Sequence, residues 1–187
     1  MPPPAAGEAR ARADGPVLRW IERVIKAIDV SGALIVGTTL TAMFVGLLIN
    51  VILRYALGEG ITWAYEITRI LFPWMVAGGV VMATARGRHV AVTVLSDALP
   101  ASTARWLTLG IYLLVGAISV AVLTTGQPIM NASRFQRLSE TGISQIWGYR
   151  SLSYAFVCIS VLSALNVLRI LIGGAEPTTS QNQTSFS

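Results

Sequence analysis

The chain has 187 residues, of which 53% are hydrophobic and 12% charged, about half the charged share of a soluble domain. Its formal charge of +5 comes from 14 Lys+Arg against 9 Asp+Glu. The positives sit between long apolar blocks, so they read as membrane-orientation signals and not as a nucleic-acid footprint. One cysteine, Cys158, excludes an internal disulfide, and with one histidine, His89, it excludes a Cys/His zinc cage.

Residues 1–15, with three consecutive prolines among Ala, Gly and Arg, read as disordered. Residues 16–29 read as an amphipathic surface helix. Val17, Leu18, Trp20, Ile21, Val24, Ile25 and Ile28 fall on one arc of about 160°, and Arg19, Glu22, Arg23, Lys26 and Asp29 fall opposite. Such a helix serves either as a membrane-surface anchor leading into the first span or as a docking arm for a partner.

Four apolar stretches follow, with spans expected at about 30–53, 63–85, 104–126 and 147–171. Each matches the roughly 20 helical residues that cross about 30 Å of hydrocarbon. Continuous apolar runs exclude a lipid-exposed barrel, whose strands would alternate. The first run is too long and too far into the chain for a cleaved signal peptide. The expected fold is therefore an all-α, four-span domain over 30–172, with a disordered tail at 173–187. Nine Lys/Arg on one side against four on the other place both termini in the cytoplasm.

The polar residues near the spans are few. Glu66 and Arg69 lie i,i+3 on the second helix, and Arg54, Tyr55 and Trp63 belong to the same membrane face. An Arg54–Glu66–Arg69 network is expected there, either as an ion-paired lock between helices or subunits or as a coupling-ion or substrate site. His89 follows Arg86-Gly-Arg88 at the other end of that helix, where it is either a proton relay or an interfacial hydrogen-bonding residue. Gly79, Ala83 and Gly87, Ala42/Gly46 and Ala117/Ala121 have the spacing that lets helices approach closely. Pro73 is a candidate kink. No phosphate loop, HExxH or nucleophile elbow is present, no ionisable residue sits at mid-span, and no internal repeat of the carrier type is visible. An enzyme is not expected, and neither a cofactor nor a metal is.

The series Asn50-Val-Ile-Leu-Arg54-Tyr55, Trp63-Ala-Tyr-Glu66-Ile-Thr-Arg69, Trp74, Gly79, Arg86-Gly-Arg-His89-Val-Ala-Val and Leu99-Pro100, with Thr141-Gly-Ile-Ser ahead of Trp147 and Tyr149, is similar to the small membrane subunit of tripartite ATP-independent periplasmic (TRAP) transporters, the DctQ-like family. Tyr65 and Thr93 stand where many members carry an acidic residue. The resemblance implies a scaffold subunit in the bacterial inner membrane. Its expected partners are a large permease subunit that carries sodium and solute and a periplasmic binding protein that delivers an organic acid. Arg54, Tyr55, Trp63, Glu66, Arg69, Trp74, Gly79 and His89 become structural or interface candidates, and Arg134 and Arg137 candidates for docking the binding protein. The rival reading is a self-contained homo-oligomeric transporter or channel using Glu66.

Overall fold

The computed structural model describes residues 16–86 and 101–172, so the expectations for 1–15, for His89 and its flanking segment, and for 173–187 lie outside the described residues. Five helices occupy them: α1 Pro16–Leu57, α2 Thr62–Ala85, α3 Ala101–Thr125, α4 Gln127–Ser133 and α5 Ile146–Leu171. All but the seven-residue α4 are long and apolar enough to cross a membrane. Between 11% and 28% of each apolar window is buried within the chain, so most of the span surface is left to lipid or to another protein. This is an all-α integral membrane fold.

The helix ends follow local chemistry. Gly58, at φ +79°, donates its N–H to the Arg54 carbonyl at 3.1 Å. This left-handed glycine ends α1 and reverses the chain into α2. The Gly126 N–H closes on the Val122 carbonyl at 2.9 Å, and α4 starts anew with Pro128 in its first turn, where the missing N–H costs nothing.

The helices pack in the order α1, α2, α5, α3, with α4 against α5. Ala77 and Val81 of α2 and Ala155 of α5 form the buried centre, with Ile28, Tyr154 and Cys158 against it. The α1–α2 crossing is closest at glycine, but not at Gly79. A Cβ at Gly32 would stand 2.8 Å from the Gly78 carbonyl oxygen, and a Cβ at Gly78 would stand 2.8 Å from that of Gly32. Gly79 and Gly46 face open space. The i,i+4 spacing singled out the face next to the one that packs, because spacing alone does not say which side of a helix its neighbour occupies.

No break separates a surface helix at 16–29 from the span; α1 is one helix of 42 residues, about 63 Å long at 1.5 Å per residue. No proline or glycine interrupts residues 17–31, and the polar arc is held by neighbouring helices. Arg86, the residue that follows α2, pairs with Asp29 at 2.9 Å, and Arg169 of α5 approaches Glu22 at 3.9 Å. Leu18 and Ile21 are buried, whereas Val17 and Trp20 on the same apolar arc are exposed.

Candidate functional site

The polar residues with sequence significance gather at the end of the bundle where α1 turns into α2. Asn50, 2% exposed on the last turns of α1, accepts a hydrogen bond from the Ile61 N–H through Oδ1. That bond satisfies an amide at the start of α2, which lacks an intrahelical partner. Gly60 lies against the same side chain, with its Cβ position 3.2 Å from Asn50 Oδ1. Asn50 heads the family-like series, yet charge and hydropathy alone do not mark it as a pin for the turn.

Glu66 is bound, but not by arginine. Its Oε1 accepts the Glu140 N–H at 3.0 Å, and its Oε2 accepts the Thr141 N–H at 2.8 Å and the Thr141 hydroxyl at 2.9 Å. The expected network with Arg54 and Arg69 is therefore corrected: among the described residues neither arginine pairs with Glu66. The reason is geometric. Two successive amides and a hydroxyl on one turn form a concave anion cradle, and that turn lies above the first turns of α2. Arg54, Tyr55, Arg69 and Trp63 all project into the exposed surface.

The cradle belongs to a compact hairpin at 134–145. Arg137 and Ser144 form an antiparallel bridge. The Leu138 N–H donates to the Ile143 carbonyl at 3.0 Å, and the Gln145 N–H to that of Gln136 at 2.9 Å. Gly142 turns at φ +65°, and the Ser144 hydroxyl donates to the Arg134 carbonyl at 3.0 Å. Leu138 is the buried anchor. The run Thr141-Gly-Ile-Ser thus supplies a carboxylate donor, a left-handed turn and a closing hydroxyl. Arg134 and Arg137 are exposed on this hairpin, and Arg137 donates to the Gly142 carbonyl at 3.3 Å.

Below the hairpin, Trp74 Nε1 donates to the Trp147 carbonyl at 2.9 Å, and its ring meets Tyr154 with centroids 6.0 Å apart. The Tyr154 hydroxyl shares a 2.7 Å hydrogen bond with Ser31, so one chain of contacts joins α2, α5 and α1. Arg150 covers the Trp147 ring at 4.9 Å, a pairing suited to the membrane–water boundary. At the opposite end, besides the Asp29 and Glu22 pairs, Arg105 donates to the Ile170 carbonyl at 2.6 Å, where a cation suits the helix C-terminus.

Among the described residues, no three His, Cys, Asp or Glu side chains converge as a metal site would require. The carboxylates lie at the two ends of the helices, and those with partners hold a hairpin or neighbouring helices in place. This geometry fixes elements relative to one another.

Comparison with known proteins identifies the family. Residues 43–173 match the family model for the DctQ component of tripartite ATP-independent periplasmic transporters. The chain is 26% identical over 159 residues to the sialic acid TRAP transporter small permease protein SiaQ of Vibrio cholerae, covering 83% of this chain and 90% of that one. It is 34% identical over 82 residues to the C4-dicarboxylate small permease protein DctQ of the same species, covering 44% of this chain and 35% of that one. It is 30% identical over 102 residues to the ectoine small permease protein TeaB of Halomonas elongata, with 54% and 51% covered. With four membrane-crossing helices and a match over most of its length, the chain belongs to the DctQ family and is a multi-pass small permease subunit of a TRAP transporter.

Proposed function

We propose that this subunit is the static scaffold of a sodium-driven, binding-protein-dependent symporter for organic acids in the bacterial inner membrane. It pairs with a large permease subunit that moves solute and ion, and both of its termini face the cytoplasm. The turn end, with the 134–145 hairpin, then faces the periplasm, where Arg134 and Arg137 meet acidic residues of the binding protein by charge complementarity. The observation that carries the reading is the engagement of Glu66 by Glu140 and Thr141. It spends the outer carboxylate of α2 on holding a presenting loop, which argues against Glu66 as a coupling residue. Relatives named for sialic acid, C4-dicarboxylate and ectoine resemble this chain, which supports placing solute choice on other subunits.

The test is to tag the chain, extract it from its native membrane in mild detergent, and identify what co-elutes. A stoichiometric large polytopic protein is expected; elution with copies of itself alone overturns the scaffold reading. For docking, Arg134→Glu with Arg137→Glu is expected to reduce uptake at low binding-protein concentration and to spare it at saturation. Unchanged uptake at both concentrations removes the docking role.

A further inference from the structure

A groove of about 530 Å³ runs between α2 and α5. Its walls extend from Arg69 to Val80 on α2 and from Gly148 to Ile159 on α5. Eleven helical steps measure about 16 Å, close to half of the roughly 30 Å hydrocarbon thickness, so the groove is as deep as one leaflet. Small residues of α5 (Gly148, Ser151 and Ala155) open the space, and Phe72, Val76 and Phe156 line it.

Arg69 is the one charged residue on that lining. It is exposed, and it makes no ion pair among the described residues, because Glu66 is engaged by the hairpin. Its depth follows from the register of the two helices. Pro73 lies beside Gly148, and Trp74 bonds the Trp147 carbonyl. Arg69 therefore stands about one turn above Gly148, beside Gln145 and Tyr149 of the same lining and about one turn outward of the Trp147–Arg150 boundary pair. A cation thus sits at headgroup height over an apolar slot that ends at mid-bilayer.

We propose that this groove binds one membrane phospholipid, with an acyl chain along α2 and α5 and its phosphodiester on Arg69. The length of the groove selects this occupant. A spanning helix of a partner subunit would run through both leaflets and present a cylinder 10–12 Å across, whereas the groove stops at Val80 and Ile159. A guanidinium pairs well with phosphate oxygens. The inference rests on the membrane placement of α2 and α5 and stands apart from the docking role of Arg134 and Arg137.

The test uses the chain purified with its co-eluting partners from native membrane. Native mass spectrometry after detergent washing is expected to find one retained phospholipid. Arg69→Gln, which removes the charge, and Val76→Trp, which fills the groove from a half-exposed position, are expected to lower retention about tenfold. Leu114→Trp, on the exposed face of α3, is expected to match the wild type. Equal retention in all four proteins overturns the proposal. Independently of any folding defect, a photo-crosslinking side chain at position 76 in intact membranes is expected to gain the mass of a phospholipid. An adduct to another polypeptide at that position overturns the proposal.

Discussion

Gly78 and Gly79 are neighbours on α2 and are identical in composition and helix propensity, yet the structure assigns them opposite responses to a methyl group. In Gly78→Ala the new Cβ would lie 2.8 Å from the Gly32 carbonyl oxygen and 3.1 Å from the Cγ2 atoms of both Ile35 and Val36. The first contact is with backbone, so α1 and α2 must part by about half an ångström to reach van der Waals separation. Overpacking of this kind costs about 1–3 kcal/mol. In Gly79→Ala nothing lies within 4 Å of the new Cβ, and the change gains up to about 1 kcal/mol of helix propensity. Both variants share that gain, so their difference isolates the clash: about 1–3 kcal/mol, or roughly five- to 150-fold in the unfolding equilibrium. Reversible unfolding in mixed detergent, followed by circular dichroism, measures it. If Gly78→Ala is as stable as Gly79→Ala, the Gly32–Gly78 crossing does not hold the helices together and the reasoning fails.

Asn50→Leu is expected to destabilise the subunit by about 1–3 kcal/mol, because it leaves the Ile61 N–H without its acceptor; the same unfolding assay checks it, and no loss would contradict the role of Asn50 in the turn. Glu66→Ala is expected to speed amide hydrogen exchange at Glu140 and Thr141 while leaving α5 protected, and unchanged exchange there would show that the hairpin holds itself. Tyr154→Phe and Ser31→Ala are expected to cost about 0.5–1.5 kcal/mol each and to be less than additive together, since both remove one shared hydrogen bond; full additivity in the double-mutant cycle would mean that the two hydroxyls act separately.

The membrane character and four-span fold of this chain were legible in its sequence because both depend on local quantities. Hydrocarbon thickness converts directly into a length of charge-free helix. Contacts between distant segments were not legible. Glu66 lies three residues from Arg69, and sequence spacing pairs them. Its actual donors lie more than 70 residues away, on a turn whose position depends on α4, Gly142 and the packing of α5. The same holds for Gly78 over Gly79 and for the continuity of α1 through Asp29. In each case the local pattern offers several faces, and the neighbouring helix selects one. Lipid solvates any apolar face, so hydropathy states that a helix crosses the membrane but leaves open which of its sides meets protein. Only tertiary packing decided that.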